Sequence, residues 1–285
     1  MLQKIVTFAS LLGLIFLVAC AAAATPSAQN NLVPLPTPLA LEPTAPAPVP
    51  DPVIINTPNT DLTTVDEGGE TSIPQEDVTA ALAQVTTAEL SQAEIDDLLF
   101  MREEEKLAHD VYITLYAQWN MRLFQNIANS ETTHTEAIRT LLTRYNLTDP
   151  ALDNGVGVFT NATLQTLYGQ LVAQGSESLA AALQVGATIE DLDISDLAAS
   201  LAQTDNPDII LVYENLMKGS RNHLRAFVST LQRQTGTTYQ PQYLDQTTYD
   251  AIINSAMESG NGQGSGGNGR RGNNGSNSGN GRGNG

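Results

Sequence analysis

Residues 131–134 read Glu-Thr-Thr-His in the middle of an otherwise apolar pattern. Positions i and i+3 share one face of an α-helix, about 5 Å apart, so Glu131 and His134 address a single point. Glu190 and Asp193 repeat that spacing later in the chain, and Glu105 and His223 each interrupt a further apolar stripe. An ionised carboxylate shut away from water costs several kcal/mol unless it is paired. A cation shared by acids and imidazoles from separate helices would remove that cost. Four carboxylates, Glu105, Glu131, Glu190 and Asp193, with the imidazoles of His134 and His223, would nearly neutralise two divalent ions. A mixed oxygen and nitrogen donor set suits iron or manganese, with zinc as a further occupant. Tyr112, two turns after Glu105, is the candidate catalytic side chain. It would hydrogen-bond Glu131 or steer a metal-bound oxygen species, or serve as an ordinary core aromatic.

The neighbours of these residues carry expectations of their own. Glu103 and Glu104 are turned away from Glu105 by about 100° per residue and read as solvated, with Glu104 the substitute ligand if the helical phase shifts. His109 falls at the edge of its stripe. Gly186-Ala187 would leave room beside Glu190, and Arg221 and Arg225 would pair with acids around the surface.

Helices must position these groups. Apolar residues recur at three and four, and alternating strand patterns are absent. The first long helix is expected over 92–119, with Ser91 and Glu94 as a capping box. Its stripe is Leu98, Met101, Glu105, Ala108, Tyr112, Leu115. The second is expected over 122–145, with Phe124, Ile127, Glu131, His134, Ile138 and Leu141 on one face. Thr160 or Asn161 caps a shorter helix ending at Gly175. The third runs over 177–202 and the fourth over 208–234, opened by Asn206-Pro207 and stopped at Gly236. A short helix over 245–257 packs across one end. The expected fold is all-α: a four-helix bundle of two antiparallel hairpins with a long crossover, which is the ferritin-like arrangement.

The same residues resemble the ferritin-like superfamily and its rubrerythrin branch. Glu105-x-x-Ala108-x-x-x-Tyr112 matches the first-helix pattern, and Phe124, Ala128, Glu131 and His134 match the second. The runs "MREEEKLAHDVY", "NIANSETTH", "VGATIEDLDISDL" and "GSRNHLRAF" resemble the DUF2202 family over about 92–253. The resemblance implies a di-iron or mono-iron carboxylate site with peroxidase- or ferroxidase-type chemistry. One departure matters: the fourth helix should bring Glu-x-x-His and instead has Ser220-x-x-His223. Asp193 replaces the missing carboxylate, or one metal position is weak or empty; two metals, one or none stay open on the sequence. The single cysteine, Cys20, excludes the four-cysteine electron-transfer module of full rubrerythrins.

The ends frame this domain. The start has Lys4, an apolar run to Ala19 and then small residues, the layout of a secretory signal, although a membrane anchor fits more weakly. Leu17-Val18-Ala19-Cys20 resembles a bacterial lipoprotein signal, with Cys20 the lipidated residue. The expected organisation is a signal over 1–19, a Pro/Ala/Thr-rich tether over 20–75, the helical domain over 76–258 and a Gly/Asn/Arg-rich disordered tail over 259–285. The tail carries Arg270, Arg271 and Arg282. A net charge of −18 argues against nucleic acid as a partner. The function expected is an exported protein on the outer face of a bacterial membrane, held there through lipidated Cys20. Its partners would be a small oxidant such as peroxide or oxygen and an unidentified electron donor, with a homodimer possible. The alternatives are a non-catalytic metal-binding or scaffold protein and, more weakly, iron storage.

Overall fold

Ser91 opens the first long helix as its spacing requires: its hydroxyl accepts from the Glu94 amide at 3.3 Å, and its own amide donates to Glu94 Oε2 at 2.8 Å. The computed structural model describes residues 61–65 and 70–258. Cys20, the signal-like leader, most of the Pro-rich arm and the Gly/Asn tail lie outside those residues. The described chain is mostly helical. In order it contains β1 (Thr64–Val65), β2 (Thr71–Ser72), α1 (Gln75–Leu82), α2 (Gln92–Trp119), α3 (Arg122–Arg144), α4 (Ala162–Gly175), α5 (Leu179–Leu201), α6 (Pro207–Thr235) and α7 (Gln246–Ile253). Among the described residues no helix is long and apolar enough to cross a membrane.

Each helix boundary has a local cause. Asn120 ends α2 in the left-handed region, φ 49°, where asparagine costs less than most residues. Asn161 caps α4 through the amides of Thr163 and Leu164, and Ser178 caps α5. Asn206 caps α6 with Pro207 in its first turn, and Gly236, φ 73°, closes it.

α2 packs along α3, and α5 along α6; α2 also meets α5, and α3 meets α6. Only Asn120 and Met121 separate α2 from α3, so the chain must double back. Apolar residues fill this packing on both sides of one polar layer. Leu98, Met101, Ile138, Leu141, Leu197 and Tyr213 lie on one side. Tyr112, Phe124 and Phe227 lie on the other, with ring centroids 5.2–6.3 Å apart. Burying side chains of this size contributes roughly 1.5–3 kcal/mol each.

Two features were not anticipated. α1 precedes the first long helix, and β1 and β2 form a two-stranded antiparallel ladder ahead of it. The strand segment precedes the boundary at 76 expected from composition, yet it binds the helices. Leu62 N donates to Asn215 Oδ1 at 2.8 Å, Thr71 N to Ser130 Oγ at 3.1 Å, and Ile73 N to Thr133 Oγ1 at 3.0 Å.

Candidate metal centre

The polar layer is built from all four long helices. α2 brings Glu105, α3 brings Glu131 and His134, α5 brings Glu190, and α6 brings His223; each is at most 2% exposed. They form two triads that share one residue: Glu105, Glu131 and His134, and Glu131, Glu190 and His223. Within each triad the ligand atoms all lie within 4.8 Å of one another.

Glu131 is the pivot. Its Oε2 stands 2.9 Å from His134 Nδ1, and its Oε1 stands 2.9 Å from His223 Nδ1. Glu105 Oε2 lies 3.3 Å from the first imidazole nitrogen and Glu190 Oε2 lies 3.4 Å from the second. Donor atoms about 2.0–2.2 Å from one metal ion, at octahedral or tetrahedral angles, stand about 2.8–3.6 Å apart. The four separations fall within that range. Glu105 Oε2 and His134 Nδ1 are within hydrogen-bond geometry, whereas Glu131 Oε1 and His223 Nδ1 are both buried without a hydrogen-bond partner. Such clustered acids and imidazoles could hold a metal ion.

The charges of the layer act strongly on one another. Burial alone would raise the Glu131 carboxyl, but the charges of His134 and His223 overcome this and hold it low. Burial drives the His223 imidazole down, and Glu190 and Glu131 reverse this and push it up to about 9. His134 is raised well above its ordinary value by Glu131 and Glu105 against the same burial. Glu105, buried and only partly offset by His134, is raised to about 7. The two imidazole rings stack at 5.5 Å, so two protonated rings would repel across that gap.

Asp193 is in neither triad. It is buried beside them with Oδ1 lacking a hydrogen-bond partner, and burial together with Glu105 and Glu190 raises its carboxyl strongly. The Ser220 hydroxyl, which also approaches Asp193, donates back to Leu216 O at 3.0 Å. Tyr112 hydrogen-bonds a different acid from the one expected. Its hydroxyl donates to Glu190 Oε1 at 2.5 Å, not to Glu131.

Among the neighbours, some depart from the sequence reading and others follow it. Glu103 and Glu104 are buried, not solvated. Glu103 accepts from the amides of Thr160 and Asn161, at 2.5 and 2.8 Å, where the chain enters α4. The space at Gly186 is taken by Phe227, since a Cβ there would stand 2.4 Å from its ring. His109 faces Asp110 at 2.9 Å. Arg221 and Arg225 bind Glu258 near the chain's C-terminal side. The close approach the sequence did not single out is at Gly219, where a Cβ would lie 2.5 Å from His134 Nε2. Its only signal was a glycine next to the departure at Ser220.

The family model described as "Uncharacterized protein domain (DUF2202)" matches residues 94–256. An uncharacterized protein of Methanocaldococcus jannaschii, MJ0754, is 53% identical over 171 residues, which span 60% of this chain and 92% of that protein. The crystal structure of hypothetical protein MJ0754 from Methanococcus jannaschii DSM 2661 is similar with a TM-score of 0.60 at 51% identity. It covers 61% of this chain and 99% of that one.

Proposed function

The chain belongs to the DUF2202 family, and from that premise we propose that it holds a pair of divalent metal ions, iron foremost, in a ferritin-like four-helix bundle. One observation carries the reading: each carboxylate oxygen of Glu131 stands 2.9 Å from a different imidazole, so Glu131 would serve both groups of ligands. Glu105, Glu131 and His134 would hold the first ion, and Glu131, Glu190 and His223 the second. Asp193 would supply the negative charge that Ser220 does not. In this reading α2 with α3, and α5 with α6, are the two hairpins of the bundle, and α4 lies in the crossover between them.

Bound iron would supply redox and Lewis-acid chemistry toward peroxide or oxygen. Around it, Tyr112 fixes Glu190 through the bond to Oε1 and keeps a proton at that oxygen. Phe124 and Phe227, packed against Tyr112, exclude water from that side. The leader and Cys20 extend the proposal to an exported, lipid-anchored protein, with the arm after Cys20 as spacer.

The test is metal content and turnover of the full chain after reconstitution with ferrous iron, beside Glu131→Ala. Two irons per chain, lost in the variant, with consumption of peroxide or oxygen, are expected. Less than one iron per wild-type chain would refute the centre. A second reading, metal binding without catalysis, is favoured by Ser220, whose hydroxyl proton is committed to Leu216 O. Two irons without consumption of either oxidant would select it.

A further inference from the structure

β2 packs on both α3 and α6, the two helices that carry the imidazoles. The attachments of the β1–β2 hairpin fall beside the candidate ligands. Thr71 N donates to Ser130, next to Glu131, and Ile73 N donates to Thr133, next to His134. The Asn222 amide, next to His223, reaches Thr71 Oγ1 at 3.5 Å. On the β1 side, Asn215 Oδ1 accepts from Leu62 N and from Thr63 Oγ1, at 2.8 and 3.2 Å, and Asp61 pairs with Lys218. Leu62, Thr63, Thr71 and Ile73 are buried by these contacts, so the hairpin closes the seam between α3 and α6.

Gly219 shows what lies beneath. A Cβ there would meet His134 Nε2 at 2.5 Å and Thr71 Cγ2 at 3.8 Å, so the hairpin and the edge of the imidazole stand against the same gap in α6. His134 Nε2 is buried without a hydrogen-bond partner, although a ligating imidazole ordinarily gives its second nitrogen to an acceptor or to water. Lifting Thr71 away would bring water within reach of that nitrogen. The hairpin is also the part of the seam least able to hold itself. Its ladder pairs only Thr64 with Ser72 and Val65 with Thr71, and an isolated two-stranded hairpin is marginally stable at best. It is held to the helices chiefly through side chains, whereas α3 and α6 are held by their own backbone bonds. Segments attached in this way open locally at far lower cost than the whole fold.

We propose that the β1–β2 hairpin is an opening cover on the α3–α6 seam, and that divalent metal reaches Glu105, Glu131 and His134 beneath it. The cover stands on the hairpin's own contacts; the route rests on reading the triads as a metal centre, and separate readouts test the two. In the metal-free full chain, the amides of Leu62, Thr71 and Ile73 should exchange with deuterium by local opening, well ahead of the mid-helix amides of α3 and α6. The Thr133→Val/Asn215→Leu double variant removes the acceptors of Ile73 N, Leu62 N and Thr63 Oγ1. Modification of His134 by diethyl pyrocarbonate, mapped by peptide mass spectrometry, should then run about tenfold faster. The half-buried His109 on α2 should be modified at the wild-type rate and serves as the reference. Stopped-flow loading of Co²⁺, followed by its visible absorption, should accelerate by the same factor. Hairpin amides that exchange only with global unfolding overturn the cover, and so does unchanged modification of His134 in the variant. Equal acceleration at His134 and His223 marks a loosened bundle and overturns it as well. Faster modification of His134 with wild-type Co²⁺ loading overturns the route. A wild-type chain that takes up no Co²⁺, with modification of His134 still accelerated in the variant, refutes the metal centre and with it the route, and supports the cover.

Discussion

Replacing Glu131 by glutamine is the most informative single change. The side chain keeps its shape and loses its charge, and it serves both triads at once. In the metal-free protein Glu131 lies 2.9 Å from each of two buried imidazoles. Removing one partner of a buried ion pair costs about 3–5 kcal/mol, because the other charge is left without compensation. That cost is tied to protonation. His223 is raised from 6.5 to about 9, so its favourable interaction is complete below pH 6.5 and fades as pH rises through 9. Urea unfolding of metal-free wild type and Glu131→Gln should therefore differ by about 3–5 kcal/mol at pH 7 and by much less at pH 10. Metal content gives the second readout. Glu131→Gln should abolish stoichiometric binding at both positions. Glu105→Gln and Glu190→Gln, which each touch one triad, should each retain one ion. Two ions bound to Glu131→Gln, or an equal stability loss at both pH values, would refute the bridging role.

Three further changes probe the surroundings. Gly219→Ala drives a methyl to 2.5 Å from His134 Nε2; a cost of about 1–3 kcal/mol and loss of the Glu105-side ion are expected, read by unfolding and metal analysis. Tyr112→Phe leaves Glu190 without its 2.5 Å donor, and should cost about 1–3 kcal/mol in the metal-free chain with the aromatic packing retained by near-ultraviolet circular dichroism. Acidifying the metal-free protein from pH 8 to pH 5 should raise its melting temperature. Burial raises Asp196 from 3.8 to about 6, partly offset by Glu104, and raises Glu105 from 4.5 to about 7. Each contribution is complete below the ordinary carboxylate value and is lost as pH rises through the shifted one, at on the order of 3 kcal/mol apiece. A melting temperature that falls on acidification over this range would contradict the assignment.

The helical phases were legible because Glu105, Glu131, His134, Glu190 and His223 each sit in step with apolar neighbours at three and four. That stepping is the same signal that makes the core, so the polar layer could be read from it. The burial of Glu103 and Glu104 could not. A stripe argument assigns a helix one covered face, but α2 is packed by α3, α4 and α5 together, which leaves its middle with almost no solvent side. Glu103 is buried by amides that arrive from residues 160 and 161, a distance in sequence that periodicity cannot carry. The same holds for the segment before α1. Two-residue strands have no period, and their attachment depends on single hydroxyls and amides of Ser130, Thr133 and Asn215. Gly186 looked like room for an ion because small residues mark space without saying which neighbour fills it; Phe227 does.

Asn222 joins β2 to the C-terminal side of the described fold. Its side chain reaches Thr71 Oγ1 at 3.5 Å, and exchanges hydrogen bonds with Glu258 through O at 2.9 Å and N at 2.8 Å. Residues 71 and 258 are therefore near neighbours in space. A short linker could join β2 to Glu258 there, at the loss of β1 and the Leu62–Asn215 bond, and the chain could be reopened near the exposed Leu152, in the connection between α3 and α4. Such a circular permutant would leave every helix that supplies Glu105, Glu131, His134, Glu190 and His223 unbroken, although the order in which the ribosome makes the two helix pairs would be reversed.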